Sequence, residues 1–207
     1  MKYVIGSVIC LKTRYLYKCI AGRSSWDAHF NILNHGEALG EIFFWKDDLE
    51  KLDKRCICSY FYSQEYVYSD ASSTGLGAVT FGAIKCMSQT FFLGWARKSS
   101  TWRELTALFY ALKTFQKLLF CKQAFCCVDN FAVSRIVEDG SPNSELHSIA
   151  FEIFDFCKKN SVEMRVQWIP RAFNSEADLL SKHVDLDDWE FLQNRSFIWM
   201  NYGGPTP

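Results

Sequence analysis

Hydrophobic and polar positions change rhythm near residue 65. Upstream, GSVICLKTRYLYKCIAG carries an apolar stripe with basic residues between. NHGEALGEIFFWKDDLEKLDK opens on Asn34, a capping residue type, and sets Leu39, Ile42, Phe43, Leu49 and Leu52 near a 3.6-residue period. Both stretches predict helices, with Lys46, Asp47, Asp48 and Glu50 on a solvated face. Downstream, EYVYSD, LGAVTFGA and QTFFLGW predict three strands, with the glycines and serines between them suited to tight hairpins. STWRELTALFYALKTFQKLL predicts a long helix that buries Leu105, Leu108, Leu112, Phe115 and Leu119. AFCCVDN reads as a fourth strand, FAVSRIVED as a short helix ended by Gly140, and VEMRVQWI as a fifth strand. A helix that begins at Pro142 precedes that last strand, with Leu146, Ile149, Ala150, Ile153 and Cys157 on one face. AFNSEADLLSK closes the unit as a helix. The order predicts an α/β fold: a mixed sheet of three antiparallel strands followed by parallel strands, flanked by helices, with a small helical N-terminal segment.

The 207 residues divide on this reading into a helical segment, 1–65, an α/β domain, 66–183, and a partly helical tail, 184–207. Hydrophobic residues at 49% suffice for a core, and general disorder is excluded. The formal net charge is zero, so composition alone gives no support to a freestanding nucleic-acid binder. Nine cysteines, none in repeated CxxC pairs, predict reduced thiols in a cytoplasmic or nuclear protein rather than a zinc site. Lys12 and Arg14 interrupt the apolar N-terminal run, so it reads as a buried or amphipathic segment, and no membrane is expected.

The candidate chemistry lies in acidic residues at element ends. Asp70 ends the first strand and Asp129 the fourth; parallel pairing would set them side by side. Glu104 opens the long helix, and Asp178 lies on the last. Each alone is more often a turn former or a favourable helix-start charge. Together they would repel one another near a core unless a cation neutralised them. Hard oxygen ligands suit Mg²⁺ or Mn²⁺, and two such ions about 4 Å apart stabilise both oxygens of a phosphoryl displacement. The small residues after Asp70, ASSTGLG, are expected to leave space for metal and a phosphate backbone. Gly75-Leu76-Gly77 lacks the third glycine of a dinucleotide site and runs into a strand. Trp95, Trp102 and Trp168 are expected in the core, and Lys113, Lys117 and Lys122 on a solvated helix side.

YSDASSTGLGA, SSTWRELTAL, CVDNFAV and WIPRAFNSEADLLSK resemble the four signature segments of a type 1 ribonuclease H domain of retroelement reverse transcriptases, most of all the DIRS and Ngaro types. The resemblance covers about residues 66–183, and 1–65 resembles part of the preceding thumb and connection. It implies a ribonuclease H-like fold that cuts the RNA strand of RNA/DNA hybrids with two divalent cations, Mg²⁺ or Mn²⁺. Asp70, Glu104, Asp129 and Asp178 become the metal-binding and catalytic acids. Ser72, Ser100, Thr101, Asn130 and Asn174 become nucleic-acid-binding positions, Asn174 by supporting the loop before Asp178. The implied partners are the hybrid and the polymerase regions of a parent polyprotein. A Tyr-x-Asp-Asp polymerase element occurs nowhere in the sequence, so no DNA synthesis is expected from it. The histidine that many relatives carry before the last aspartate is missing, and His183 lies beyond it as a surface residue. Between Asp129 and Ser144 the only cation is Arg135, which predicts weak hybrid binding by this unit alone. The rival expectation is a catalytically silent retroelement remnant that at most binds nucleic acid.

Overall fold

A computed structural model describes residues 8–52, 64–81, 85–91 and 94–183. The expected tail, and the side chains of Leu49 and Leu52, lie outside the described residues. Among the described residues five strands form one sheet: β1 (Gln64–Ala71), β2 (Gly75–Thr80), β3 (Lys85–Thr90), β4 (Gln123–Val128) and β5 (Glu163–Trp168). Their order is β3-β2-β1-β4-β5. β1, β2 and β3 pair antiparallel, while β1–β4 and β4–β5 pair parallel. This is the mixed sheet expected from the element order, and the ribonuclease H-like fold that the resemblance implies.

The sheet's core face follows from strand alternation. Val67, Leu76, Ala78, Met87, Ala124, Cys126 and Val128 point to one side and form a single cluster with the helices there. α4 (Ser100–Thr114) and α5 (Gln116–Leu119) supply the predicted stripe, and Leu105, Leu108, Leu112, Phe115 and Leu119 are all buried. The stretch predicted as one helix bends at Phe115, which both ends α4 and begins α5. α6 (Phe131–Asp139) ends at Gly140, whose φ of +74° lies in the region that favours glycine. In α7 (Ser144–Lys159), Ala150, Ile153 and Cys157 are buried as the spacing predicts. Asn143 caps this helix by accepting from the Glu145 and Leu146 amides, so Pro142 precedes the helix rather than opening it.

Two expectations shift. β3 spans Lys85–Thr90 and not QTFFLGW, because the hairpin register pairs Thr80 with Lys85 and Gly75 with Thr90. Beyond it, Phe91 and Trp95 leave the sheet and pack edge-on against each other, and Trp95 meets Trp102 and Tyr110. Among the described side chains of α3 (Gly36–Leu52), Ala38 and Glu41 are buried, whereas Ile42 and Phe43 are exposed. Glu41 decides the facing: its carboxylate accepts the Tyr15 and Leu16 amides at 3.0 and 2.8 Å, capping the first turn of α2 (Arg14–Ala21). Asn34 ends a 3-10 turn just before α3, and the capping side chain there is Asn31, on that turn. α1 (Val8–Leu11) buries Val8 and Leu11 against α6 and α7. Trp45 Nε1 donates to the Lys12 carbonyl at 2.7 Å, tying α3 to the same corner. Among the described residues no helix is long and apolar enough to cross a membrane.

Candidate active site

α8 (Ser175–Lys182) lies on the sheet face opposite α4, over β1, β2 and β3. Its seat depends on the bare stretch after Asp70. A Cβ on Gly77 would come closer than 3.0 Å to the Ala177 carbonyl oxygen and the Ser181 nitrogen, and one on Gly75 would strike the Gln89 carbonyl oxygen. The small residues therefore make room for a helix backbone, not for an ion and a phosphate as the sequence led us to expect. Ser72 secures the same junction: its hydroxyl donates to the Ser181 carbonyl at 2.5 Å and accepts from the Thr74 and Gly75 amides. Ser88 Oγ donates to the Leu180 carbonyl at 2.8 Å.

This packing brings the four acids to one end of the sheet. Asp70, near the end of β1, is buried and accepts from Ser181 Oγ at 2.7 Å. Asp129 follows β4 directly, and its carbonyl accepts from Trp168 Nε1 at 3.0 Å. Glu104, in α4, accepts from Asn130 Nδ2 at 3.2 Å through Oε1, while its Oε2 is buried without a hydrogen-bond partner. Burial, with repulsion from Asp129 and Asp70, raises the Glu104 pKa to about 7. Burial raises Asp129 too, and the Asp70 charge adds to it. Such mutual upward pressure marks anions held close together without enough counter-charge.

Asp178 differs. Arg171 Nη2 and Lys182 Nζ hold its two oxygens at 2.6 and 2.5 Å, and these bonds lower its pKa. Among the described residues, no three His, Cys, Asp or Glu side chains are gathered as a ready metal cage. The four expected acids thus lie towards one end of the sheet without forming a ready ligand cage, and Asp178 is turned to neighbouring cations. The donor set nevertheless fits a hard divalent ion, because it consists of carboxylate oxygens that repel one another, one of them buried and unpartnered.

An open cleft of about 640 Å³ adjoins these groups, lined by Glu104, Asp129, Asn130, Phe131, Trp168 and Arg171. Asn130 caps α6 by accepting the Ala132 amide, and its Nδ2 also reaches Thr101 Oγ1 at 3.5 Å. Ser100 is exposed at the first turn of α4, beside Thr101. Asn174 is 1% exposed and donates to the Ser69 carbonyl at 3.0 Å. It ties the loop before Asp178 to β1 and has no surface to offer a nucleic acid. Trp168, expected in the core, is 46% exposed on the cleft wall. Arg171 and Ser181 were not singled out in the sequence. The one available signal was their spacing around Asp178, seven residues before and three after. Lys122 pairs with Glu65 at 2.8 Å and Arg135 with Asp139 at 2.6 Å, which leaves both less available to phosphate.

Glu104 gives a direct stability test. Its folded pKa lies above the ordinary value of 4.5, so wild-type stability falls as pH rises from about 4.5 through about 7. Glu104→Gln removes that slope. In chelator, the variant is expected to be more stable than wild type at pH 8 by about 1–2 kcal/mol, allowing for the group's remaining solvent contact, and to lose that advantage at pH 5. Urea melts at both pH values measure it; equal advantages at the two would mean the carboxylate is not under pressure.

A family profile described as reverse transcriptase-like matches residues 69–184. No curated protein sequence matches the chain. Among solved structures, it is similar to ribonuclease H1 from the halophilic archaeon Halobacterium salinarum, with 18% identity over 57% of this chain and 94% of that one, at a TM-score of 0.48. It is similar to the N-terminal ribonuclease H domain of a Mycobacterium tuberculosis protein, with 19% identity over 57% and 95%, at 0.48. A foamy viral protease-reverse transcriptase in complex with RNA/DNA hybrid is similar at 12% identity over 82% of this chain and 27% of that chain, at 0.42. With the profile spanning more than half of the sequence, the chain belongs to the reverse transcriptase-like family.

Proposed function

We propose that the protein hydrolyses the RNA strand of RNA/DNA hybrids in a divalent-metal-dependent reaction. The observation that carries this reading is the buried, unpartnered oxygen of Glu104 among Asp70 and Asp129, at the mouth of an open cleft. Asp70, Glu104, Asp129 and Asp178 would hold two ions, Mg²⁺ or Mn²⁺. When bound, these ions would stabilise charge on the attacking and leaving oxygens of a phosphodiester displacement.

The chain's own groups do the rest. Asp70 is fixed by Ser181, so its charge cannot swing away from the cleft. Asn130 orients Glu104 and presents its amide at the cleft wall, where a scissile phosphate would lie. Ser100 and Thr101, at the start of α4, are suited to backbone contacts. Trp168 and Arg171 offer a flat ring and a guanidinium to a sugar-phosphate chain. Arg171 and Lys182 also hold Asp178 while no ion competes for it, and its recruitment would exchange those partners. Hydrolysis would leave a 5′-phosphate and a 3′-hydroxyl, with hybrids chosen by groove shape and 2′-hydroxyls rather than base sequence.

We read 66–183 as the nuclease unit, and 1–65 as a remnant of the thumb and connection of a DIRS- or Ngaro-type retrotransposon reverse transcriptase. Polymerase regions of the parent polyprotein would be its partner. The decisive experiment is cleavage of end-labelled RNA/DNA hybrid, duplex RNA and duplex DNA by the full chain, with Mg²⁺ or Mn²⁺ at low salt. Selective metal-dependent cutting of the hybrid's RNA strand is expected. Preferential cutting of duplex DNA would replace hybrid with DNA as substrate. No cutting by a folded protein would favour the silent remnant, for which the ion-paired Asp178 is the supporting observation.

A further inference from the structure

A second, smaller cavity of about 100 Å³ lies where the start of α8 meets the sheet, lined by Tyr68, Val79, Phe81, Phe173, Asn174 and the first turn of α8. About 10–15 Å³ admits one water, so the space suits a group of several heavy atoms. It borders unused hydrogen-bonding capacity of both signs. Asn174 is 1% exposed; its Nδ2 donates to the Ser69 carbonyl, while its Oδ1 is buried with no partner among the described residues. No side chain caps α8, and the first amides of a helix have no carbonyl within it to bond, which leaves Ser175 and Glu176 N–H groups as donors there. The rim is aromatic: Phe81 is 51% and Phe173 72% exposed, and Tyr68 meets Phe81 edge-on at 5.0 Å. An acceptor without a donor, donors without an acceptor and ring faces at the rim together complement a flat group with N–H beside C=O. Glu176 on the wall opposes an anion, so that group is neutral.

We propose that this cavity takes an unpaired pyrimidine base from the nucleic-acid strand that leaves the cleft. Its place supports that source. Tyr68 stands two residues before Asp70 on the same face of β1, about 7 Å away. The turn Arg171–Phe173 joins the two sites, with Arg171 on the cleft wall and Phe173 on the cavity rim. At about 3.4 Å per stacked nucleotide, that separation is about two nucleotides. The edge of a uracil or thymine would donate its N–H to Asn174 Oδ1 and accept from the α8 amides at the neighbouring oxygen, with its ring against Phe81 or Phe173. A purine is too large for the space. The identity of the polymer rests on the hybrid-hydrolysing reading; the site itself does not. The pocket would let the protein favour a hybrid with a single-stranded flank over a blunt one.

Two binding measurements on the full chain in chelator, where no strand is cut, test this apart from cleavage. Uridine titrated into isotope-labelled protein to millimolar concentration is expected to shift the Ser175, Glu176 and Ala177 amide resonances, and adenosine to shift them less. A hybrid with a short uridine or thymidine overhang, tried at each strand end in turn, is expected at one end to bind about fivefold or more tighter than a blunt hybrid or one with an abasic overhang, the low end of what one base–aromatic stack supplies. The double substitution Phe81→Ala, Phe173→Ala removes two exposed rings; it is expected to abolish that gain and leave blunt-hybrid binding unchanged. Amides unmoved by uridine would overturn the site and leave a water-filled cavity. A gain that the abasic overhang shares, or that survives the double substitution, would overturn the base as its cause. Uridine shifts without any overhang gain would overturn the strand as the source and leave a free nucleoside. An overhang gain on a hybrid that the chain never cuts with Mg²⁺ or Mn²⁺ would uphold the pocket and sink only the nuclease reading.

Discussion

Asp70→Asn is expected to reduce RNA-strand cleavage by about 10³-fold or more, or ~4 kcal/mol of transition-state stabilisation, while the protein stays folded. The substitution preserves size and shape. Asp70 is buried at a fixed strand position, and among the described residues its side chain accepts a hydrogen bond from the Ser181 hydroxyl. An asparagine oxygen can accept that same bond, so the junction between β1 and α8 survives. What disappears is a negative charge next to Glu104 and Asp129, both already pushed upward by its presence. Removing it relieves the folded protein and deprives a cation of a ligand, so stability and activity should move in opposite directions. Ser181→Ala separates the two roles: it keeps the charge but frees the carboxylate, and a smaller loss of rate is expected. Hybrid cleavage assays paired with thermal melts in chelator measure both. A folded Asp70→Asn protein that cuts at the wild-type rate would remove Asp70 from the mechanism.

How much of this was legible before the structure varied with the kind of signal. α4 and α7 announced themselves because their buried residues recur at helical spacing, and the packing partner only had to be a sheet. Asp70 and Asp129 stood out because they lie at strand ends, where short-range order fixes position, whereas Glu104 and Asp178 lie inside α4 and α8 and reach that end of the sheet through helix packing. Other features depend on contacts across the fold. The face of α3 is chosen by Glu41 reaching the amides of α2, which no hydrophobic period encodes, so Ile42 and Phe43 point outward. β3 was misplaced because its register is dictated by β2, and only Met87 along it is buried. Trp168 was expected inside because tryptophan usually is; a half-exposed indole bonded to the Asp129 carbonyl makes it part of the cleft. The ion pairs of Asp178 were invisible for the same reason: Arg171 lies across a turn, and only the turn brings it back.

Gly77→Ala is expected to cost about 3 kcal/mol of stability and nearly all activity, although it adds one methyl group. The reason is where that methyl would go. It would lie within 3.0 Å of three backbone atoms of α8, the Ala177 carbonyl oxygen, the Ser181 nitrogen and the Leu180 carbonyl carbon, and none can rotate aside. Overpacking against side chains costs about 1–3 kcal/mol because rotamers adjust. Against a helix backbone the whole helix must lift. α8 carries Asp178 and Ser181, and with Ser72 and Ser88 it forms the bonds that hold the helix on the sheet. A lifted α8 removes one acid from the site and releases Asp70 from the Ser181 hydroxyl. The melting temperature should fall by about 6–12 °C for a chain of this size. Cleavage should be lost even at temperatures where the rest of the sheet is intact by circular dichroism. Gly40→Ala supplies the contrast. A Cβ there meets nothing within 4 Å, and the residue lies within α3, so that change should leave cleavage alone and raise stability by about 0.5–1 kcal/mol. If Gly77→Ala melts and cuts like wild type, α8 is not seated on β2 as described, and the geometry that brings Asp178 to Asp70 is wrong.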